Sequence, residues 1–474
     1  MTPPSVPSPD ERDPGEPGAG SVGLCPLSSG RQTLNIVLFA SNVALVYLAS
    51  PVLYVGITAP SLCQRLDASR AVANLPTTAY FVGTLAPLFV AWYFPFVRLL
   101  KPVLVASYGI LAGGGIVMAS ALAMYQSEAQ NVLMIGILVV YEALAGAALQ
   151  VISTFQWEVI GRGVSETRRG QALGLAFGAG PLLAVVGSLV QQLILQGQIE
   201  VPVIRSASEI GMMTLALGAL DFPRNFAALY GLSVPIMALA ALLSTQFMVP
   251  QPAVEVARKP FVAGIFGGIR ELLSYRIARI AVLATILIFA ANQIMGTVSL
   301  YTEEVLGFNP EQYAGYQNAL RFSFKIVAGF VLGWLLTRTS PKAGLILTGM
   351  LCLAGVLWAV IADPRWFLIS FGLLGAGELY GVYYQSYILS CSPGSKMRRN
   401  MAIINMVPIF AAPAPVMFGA ISDLFGYHAS FWTSICIIVA TLMLVLIALP
   451  ARPAPRGEDM DASDFAEPLP VEGE

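Results

Sequence analysis

Apolar residues in this chain come in runs of about twenty, and short polar stretches carrying Gly, Pro, Arg or Lys separate the runs. A helix crossing a hydrocarbon core of about 30 Å needs roughly 20 residues at 1.5 Å each, so each such run predicts a membrane span. Twelve are expected, at residues 33–58, 72–96, 102–125, 131–156, 168–194, 223–249, 278–302, 313–337, 343–362, 366–391, 400–425 and 429–449. The fold class this implies is all-α integral membrane. The longest link, 250–277, falls between spans 6 and 7 and divides the chain into an N-terminal six-helix bundle (33–249) and a C-terminal one (278–449). Its segment KPFVAGIFGGIRELLSYRIARI mixes apolar and basic residues at loosely helical spacing, which reads either as an interfacial helix or as a plain linker. The stretch 195–222, the outside loop between spans 5 and 6, is an insertion to which the sequence assigns no role.

Composition agrees with this class. Charged residues are 11% of the chain, where a soluble domain has about 25%, and a net charge of −1 excludes a polybasic nucleic-acid binder. Residues 1–32, rich in Pro, Gly and Ser, and residues 450–474, acidic and proline-containing, are expected to be disordered cytoplasmic tails, with no cleaved signal peptide. Cys25, Cys63, Cys352, Cys391 and Cys436 show no metal-type or disulfide spacing. Lys and Arg fix the orientation: with the N-terminus inside, 19 lie in inside loops and 5 in outside loops. Both termini are then cytoplasmic, in the cell (inner) membrane.

Four charges remain at mid-span depth: Glu142 in span 4, Arg321 and Lys325 in span 8, and Glu378 in span 10. An ionised group in lipid costs at least about 2.5–3.5 kcal/mol, so such residues face a cavity or a partner. Residues i and i+4 share a helical face, which makes Arg321 and Lys325 project together. Spans 4 and 10 hold equivalent places in the two halves, and two glutamates against two cations would sum to zero. The four are therefore expected to form one substrate-binding or coupling centre at the midplane, or else a structural ion-pair network between the halves. Each glutamate is either a fixed counter-ion or, if isolated in an apolar cavity, a proton acceptor, since loss of water penalises its charged form.

Further polar and aromatic residues at mid-depth, Asn42, Gln150, Asn292, Gln293, Tyr380 and Tyr384, are candidate cavity lining, or ordinary helix-to-helix contacts. Gly170, Gly174 and Gly178 form one ridge, expected to serve close helix packing. Pro408, Pro413 and Pro415 predict a kink or gate in span 11.

A shift of 240 positions lays LDASRAVANLPTTAYFVGTLAPLFVAWYFPFVR over LGFNPEQYAGYQNALRFSFKIVAGFVLGWLLTR, bringing Arg98 onto Arg338. With six spans per half, the chain resembles the major facilitator superfamily over about residues 33–449. That family's loop signature, Gly, three residues, Asp, Arg, is matched in GWLLTR by Gly333 and Arg338, with Thr337 where Asp is usual; YFPFVR keeps only Arg98. Arg98, Gly333 and Arg338 are thus candidate gating-loop residues. The GAISDLFGY ending of span 11 also fits. The resemblance implies two bundles related by a pseudo-twofold axis, with spans 3, 6, 9 and 12 at the periphery.

With one histidine, His428, and no nucleotide loop or nucleophile elbow, the reading is not an enzyme. It is a secondary transporter moving a small organic solute, an organic anion with protons as the coupling ion, by alternating access. The alternatives are a carrier of a neutral or sugar-like solute, a drug exporter, or a non-transporting sensor or scaffold. The partners implied are the small-molecule substrate, the lipid bilayer and protons, acting on a monomer with no cofactor, metal or nucleic acid.

Overall fold

Helices occupy all twelve predicted spans. The computed structural model describes residues 27–94, 96–206, 209–250, 261–336, 338–391 and 403–453; the expected tails lie largely outside these residues, as do Cys25 and Thr337. Spans 3 to 6 are Leu100–Ala123, Asn131–Gly163, Glu166–Gln196 and Arg224–Ser244; spans 8, 9 and 12 are Ala314–Leu336, Pro341–Ile361 and Tyr427–Ala448. Pro341 opens span 9, where the missing N–H costs nothing. Among the described residues ten helices are long and apolar enough to cross a membrane. Spans 1 and 10 complete the twelve and are each divided: Ser29–Leu48, Ser50–Leu53 and Thr58–Arg65 in span 1, Ile369–Gly377 and Tyr380–Ser390 in span 10.

Packing follows a paired pattern. Span 1 lies on span 5, span 2 on span 4 and span 3 on span 6; in the other half span 8 lies on span 10 and span 9 on span 12. Spans 5 and 8 and spans 2 and 11 meet across the two bundles. That is the arrangement a pseudo-twofold axis requires. Small residues set the closest approaches: a Cβ at Gly146 of span 4 would collide with the Tyr80 carbonyl of span 2. The Gly170, Gly174 and Gly178 ridge does not do this. Those three positions face open space, so the spacing marked a face without a helix against it.

The 195–222 insertion contains an antiparallel hairpin, Gln198–Ser206 paired with Glu209–Ala216, with Gln198 opposite Ala216. The β-branched run in IEVPVI suits it. The other end of the molecule carries the link between the bundles, where Phe261–Ser274 is a helix. These define a hairpin end and a linker end.

Candidate functional site

Spans 1, 7 and 10 lose helical regularity near mid-length. Span 1 is unwound over Tyr54–Ile57, where Gly56 has φ +106°, a conformation that side chains strain against. Span 7 is split into Arg276–Asn292 and Met295–Leu306, and span 10 breaks at Glu378 and Leu379. Irregular backbone at membrane depth is tolerated where it lines a cavity or finds a partner. Here the freed carbonyl of Val55 accepts a hydrogen bond from Arg321 Nη1 at 3.0 Å.

The remaining geometry of Arg321 is decided by span 10. Its Nη2 lies 2.6 Å from Glu378 Oε1, and Lys325 Nζ pairs with the other carboxylate oxygen, Oε2. Span 8 thus presents two cations to one shared carboxylate. A Cβ on Gly375 would strike the backbone carbonyl of Arg321, so this glycine lets the two helices approach closely enough for the pairing. The Phe322 ring lies 5.7 Å from the Arg321 guanidinium and 5.3 Å from Lys325 Nζ. Arg321 is 5% exposed, and its Nε donates to no acceptor among the described residues. The centre therefore carries one net positive charge and one unused donor.

The expected four-charge centre is a three-charge centre. Glu142 is 3% exposed and pairs with neither cation; its Oε2 has no partner among the described residues. Around it stand Cys63, Tyr80, Tyr141 and Tyr230, from spans 1, 2, 4 and 6, with no cation among them. The depth expected for both glutamates does not fix the direction in which a side chain leaves its helix.

A cavity of about 190 Å³ is lined by Arg321, Lys325 and Glu378 together with Asn292, Gln293 and Tyr380. Tyr380 packs edge-on to Phe289 at 4.5 Å. A second cavity of about 260 Å³, towards the linker end, is lined by Gln150, Gln156, Trp157, Tyr47, Tyr54 and Tyr80. Two candidates lie elsewhere. Asn42 is buried against span 6, accepting from Ser244 Oγ at 3.3 Å and donating to Leu38 O, and Tyr384 donates to Leu345 O of span 9. At the linker end Arg98 and Arg338 stack on Phe96 and Trp334, 5.0 and 4.5 Å from the ring centres, and Gly333 faces open space.

Contacts that sequence reasoning missed close the hairpin end between the bundles. The backbone N–H groups of Arg70 and Ala71 donate to the two oxygens of Asp423 at 3.0 and 2.9 Å, and the Arg70 guanidinium lies 3.8 Å over the Tyr427 ring. Gln192 Oε1 accepts from the N–H of Gly315 at 3.0 Å, and Gln191 Oε1 accepts from Asn318 at 3.0 Å. Arg65 Nε sits 3.2 Å from Glu311 Oε2, a contact close enough for an ion pair but not aligned as a hydrogen bond. Burial holds the Glu311 carboxyl above its ordinary pKa, against the opposing pull of Arg65. A value raised by closure means that closing takes up a proton, so closure is favoured at low pH and weakens as pH rises through the raised value. Spin-label distances across the hairpin end are expected to lengthen as pH rises through that raised value, and Glu311→Gln to flatten that dependence.

Two six-helix bundles around a charged midplane cavity, latched at one end, define a membrane carrier rather than an enzyme. The Major Facilitator Superfamily model matches residues 36–407 and 310–470, and the chain belongs to that superfamily. Among solved structures it is similar to a D-xylose-proton symporter, at 14% identity and TM-score 0.64, over 89% of this chain and 98% of that one. A nucleoside transporter, NupG, is similar at 11% identity and TM-score 0.58, covering 88% and 97%. A bacterial homologue of the human lysosomal transporter Spinster, in an inward-facing and unoccupied conformation, gives 11% and 0.58, covering 89% and 96%. No curated protein matches. At these identities the likeness establishes the fold, and the substrate has to be argued from the site.

Proposed function

We propose that this transporter carries a small organic anion, bound at the Arg321, Lys325 and Glu378 centre and moved by alternating access. The observation that carries the reading is the charge count: two buried cations share one carboxylate, and Arg321 Nε has no acceptor among the described residues. An anionic oxygen placed there would satisfy the donor and neutralise the excess charge, and charge-assisted hydrogen bonds of this kind are the strong ones. The excess of Lys and Arg in the linker-end loops supports an orientation with that end and both termini in the cytoplasm, and the inner membrane is the proposed location. The structure is then closed on the outside.

A thermal-shift screen of the purified protein against carboxylates, phosphates, neutral sugars and amines tests this. Stabilisation by carboxylates or phosphates, lost in Arg321→Gln, is expected; stabilisation by neutral sugars alone would overturn it.

Protons are the proposed coupling ion, and in this reading the two glutamates play different parts. Glu378 is held by two cations, whereas Glu142 is a buried carboxyl with no counter-charge among the described residues, for which a proton is the smallest available partner. The groups facing it are Cys63, Tyr80, Tyr141 and Tyr230. Glu142→Gln is expected to remove accumulation driven by a pH gradient while leaving exchange of solute for solute within about two-fold of wild type. Unchanged pH-driven accumulation in this variant would remove Glu142 from the coupling step.

A further inference from the structure

The cationic centre lines one of the two cavities described above, and the chemistry of the other differs sharply. Its walls are rich in aromatic residues: Tyr47 and Tyr54 stack at 5.7 Å, Tyr80 joins them in the lining, and Trp157 has 44% of its surface exposed. Gln150 and Gln156 supply amides, the latter donating to Tyr108 Oη at 2.9 Å. No charged side chain lines it.

Aromatic side chains link the walls of the two spaces. Phe322 packs edge-on against Tyr54 at 5.5 Å and Tyr47 at 6.1 Å, and its ring also lies beside Lys325 and Arg321. Tyr54 borders the aromatic cavity and its neighbour Val55 the charged one. Size adds a constraint. A cavity of about 150 Å³ is enough to hold benzene, so the 260 Å³ chamber takes a substituted ring. Small-molecule sites usually exceed about 300 Å³, which neither cavity reaches alone and the two together do.

We propose that the solute is a ring-bearing organic anion, an aromatic or heteroaromatic carboxylate, whose acid group binds at Arg321 and Lys325 and whose ring lies among Tyr47, Tyr54, Tyr80 and Trp157. This rests on the anion reading above and narrows it. Phe322 and the two tyrosines are the movable partition that lets one molecule occupy both chambers.

Trp157 supplies the readout. In the full-length purified protein, quenching of its fluorescence is to be titrated with three probes: an aromatic carboxylate such as indole-3-carboxylate, an aliphatic carboxylate such as lactate, and an uncharged aromatic alcohol, with Trp157→Phe as the signal control. The aromatic acid is expected to bind at least about ten-fold more tightly than either of the others. Tyr47→Ala should erase that preference over lactate, whereas Tyr47→Phe, which keeps the ring, should preserve it and report correct folding. Arg321→Gln should lose both acids. Equal affinity for lactate and the aromatic acid, displaced equally in Tyr47→Ala, would overturn the ring site and leave the anion reading intact. Equal binding of the uncharged ring and the acid, unaffected by Arg321→Gln, would overturn the anion reading and with it this proposal.

Discussion

Glu378→Gln is expected to destabilise the protein by about 3–5 kcal/mol, the cost typical of removing one partner from a buried ion pair. The reason is specific to the geometry. Glu378 gives one oxygen to Arg321 and the other to Lys325, so the substitution strands two buried cations at once. Val55 O remains for Arg321 but carries no charge. Adding Lys325→Met removes one of the stranded cations and restores the native net charge at the centre. The double variant should therefore recover most of the lost melting temperature in detergent without recovering anion binding. A Glu378→Gln protein as stable as wild type would mean that the three charges do not meet as described.

Gly375→Ala is the second large effect. One added methyl would meet the main-chain carbonyl of Arg321, a group that cannot swing aside as a side-chain tip can. Overpacking of this kind costs about 1–3 kcal/mol, and the only relief is for span 10 to move away from span 8. That movement draws Glu378 off both cations. Loss of solute binding out of proportion to the loss of stability is expected, and binding titrations beside melting curves measure it. Gly231→Ala is the internal control, because a Cβ there makes only an ordinary contact at 3.8 Å with Ala119. If the two variants behave alike, the close approach of spans 8 and 10 does not position the centre.

The sequence allowed the architecture to be read because membrane spans are long, apolar and bounded by charge, a signal that survives without any knowledge of packing. Arg321 and Lys325 were legible for the same reason: a cation inside an apolar run stands out, and four-residue spacing places both on one face. Which glutamate would answer them was not legible. Spans 4 and 10 each carry a carboxylate expected at like depth from the sequence, but partner choice depends on helix rotation, and that is set by contacts such as Gly375 on Arg321 that no periodicity reveals.

The unwound segment of span 1 did leave a mark, since Pro51, Gly56 and Pro60 crowd one stretch of an otherwise apolar run. The 240-residue shift carries Tyr54 onto Ile294, so the breaks in spans 1 and 7 fall together and the repeat extends to the irregularities. It stops at span 10, which is broken where span 4 runs on as one helix. The asymmetry coincides with the charges. The broken helix carries the paired glutamate, and the continuous one carries the glutamate proposed to take the proton.

Exchange in proteoliposomes loaded with an aromatic carboxylate, comparing that labelled acid with its uncharged primary amide, tests the central claim most directly. The two probes share shape and ring and differ in charge, and the Arg321, Lys325 and Glu378 centre has one positive charge to offer. The account predicts exchange of the acid, none of the amide above background, and loss of acid exchange in Arg321→Gln. Exchange of the amide at the rate of the acid, in wild type and Arg321→Gln alike, would contradict it.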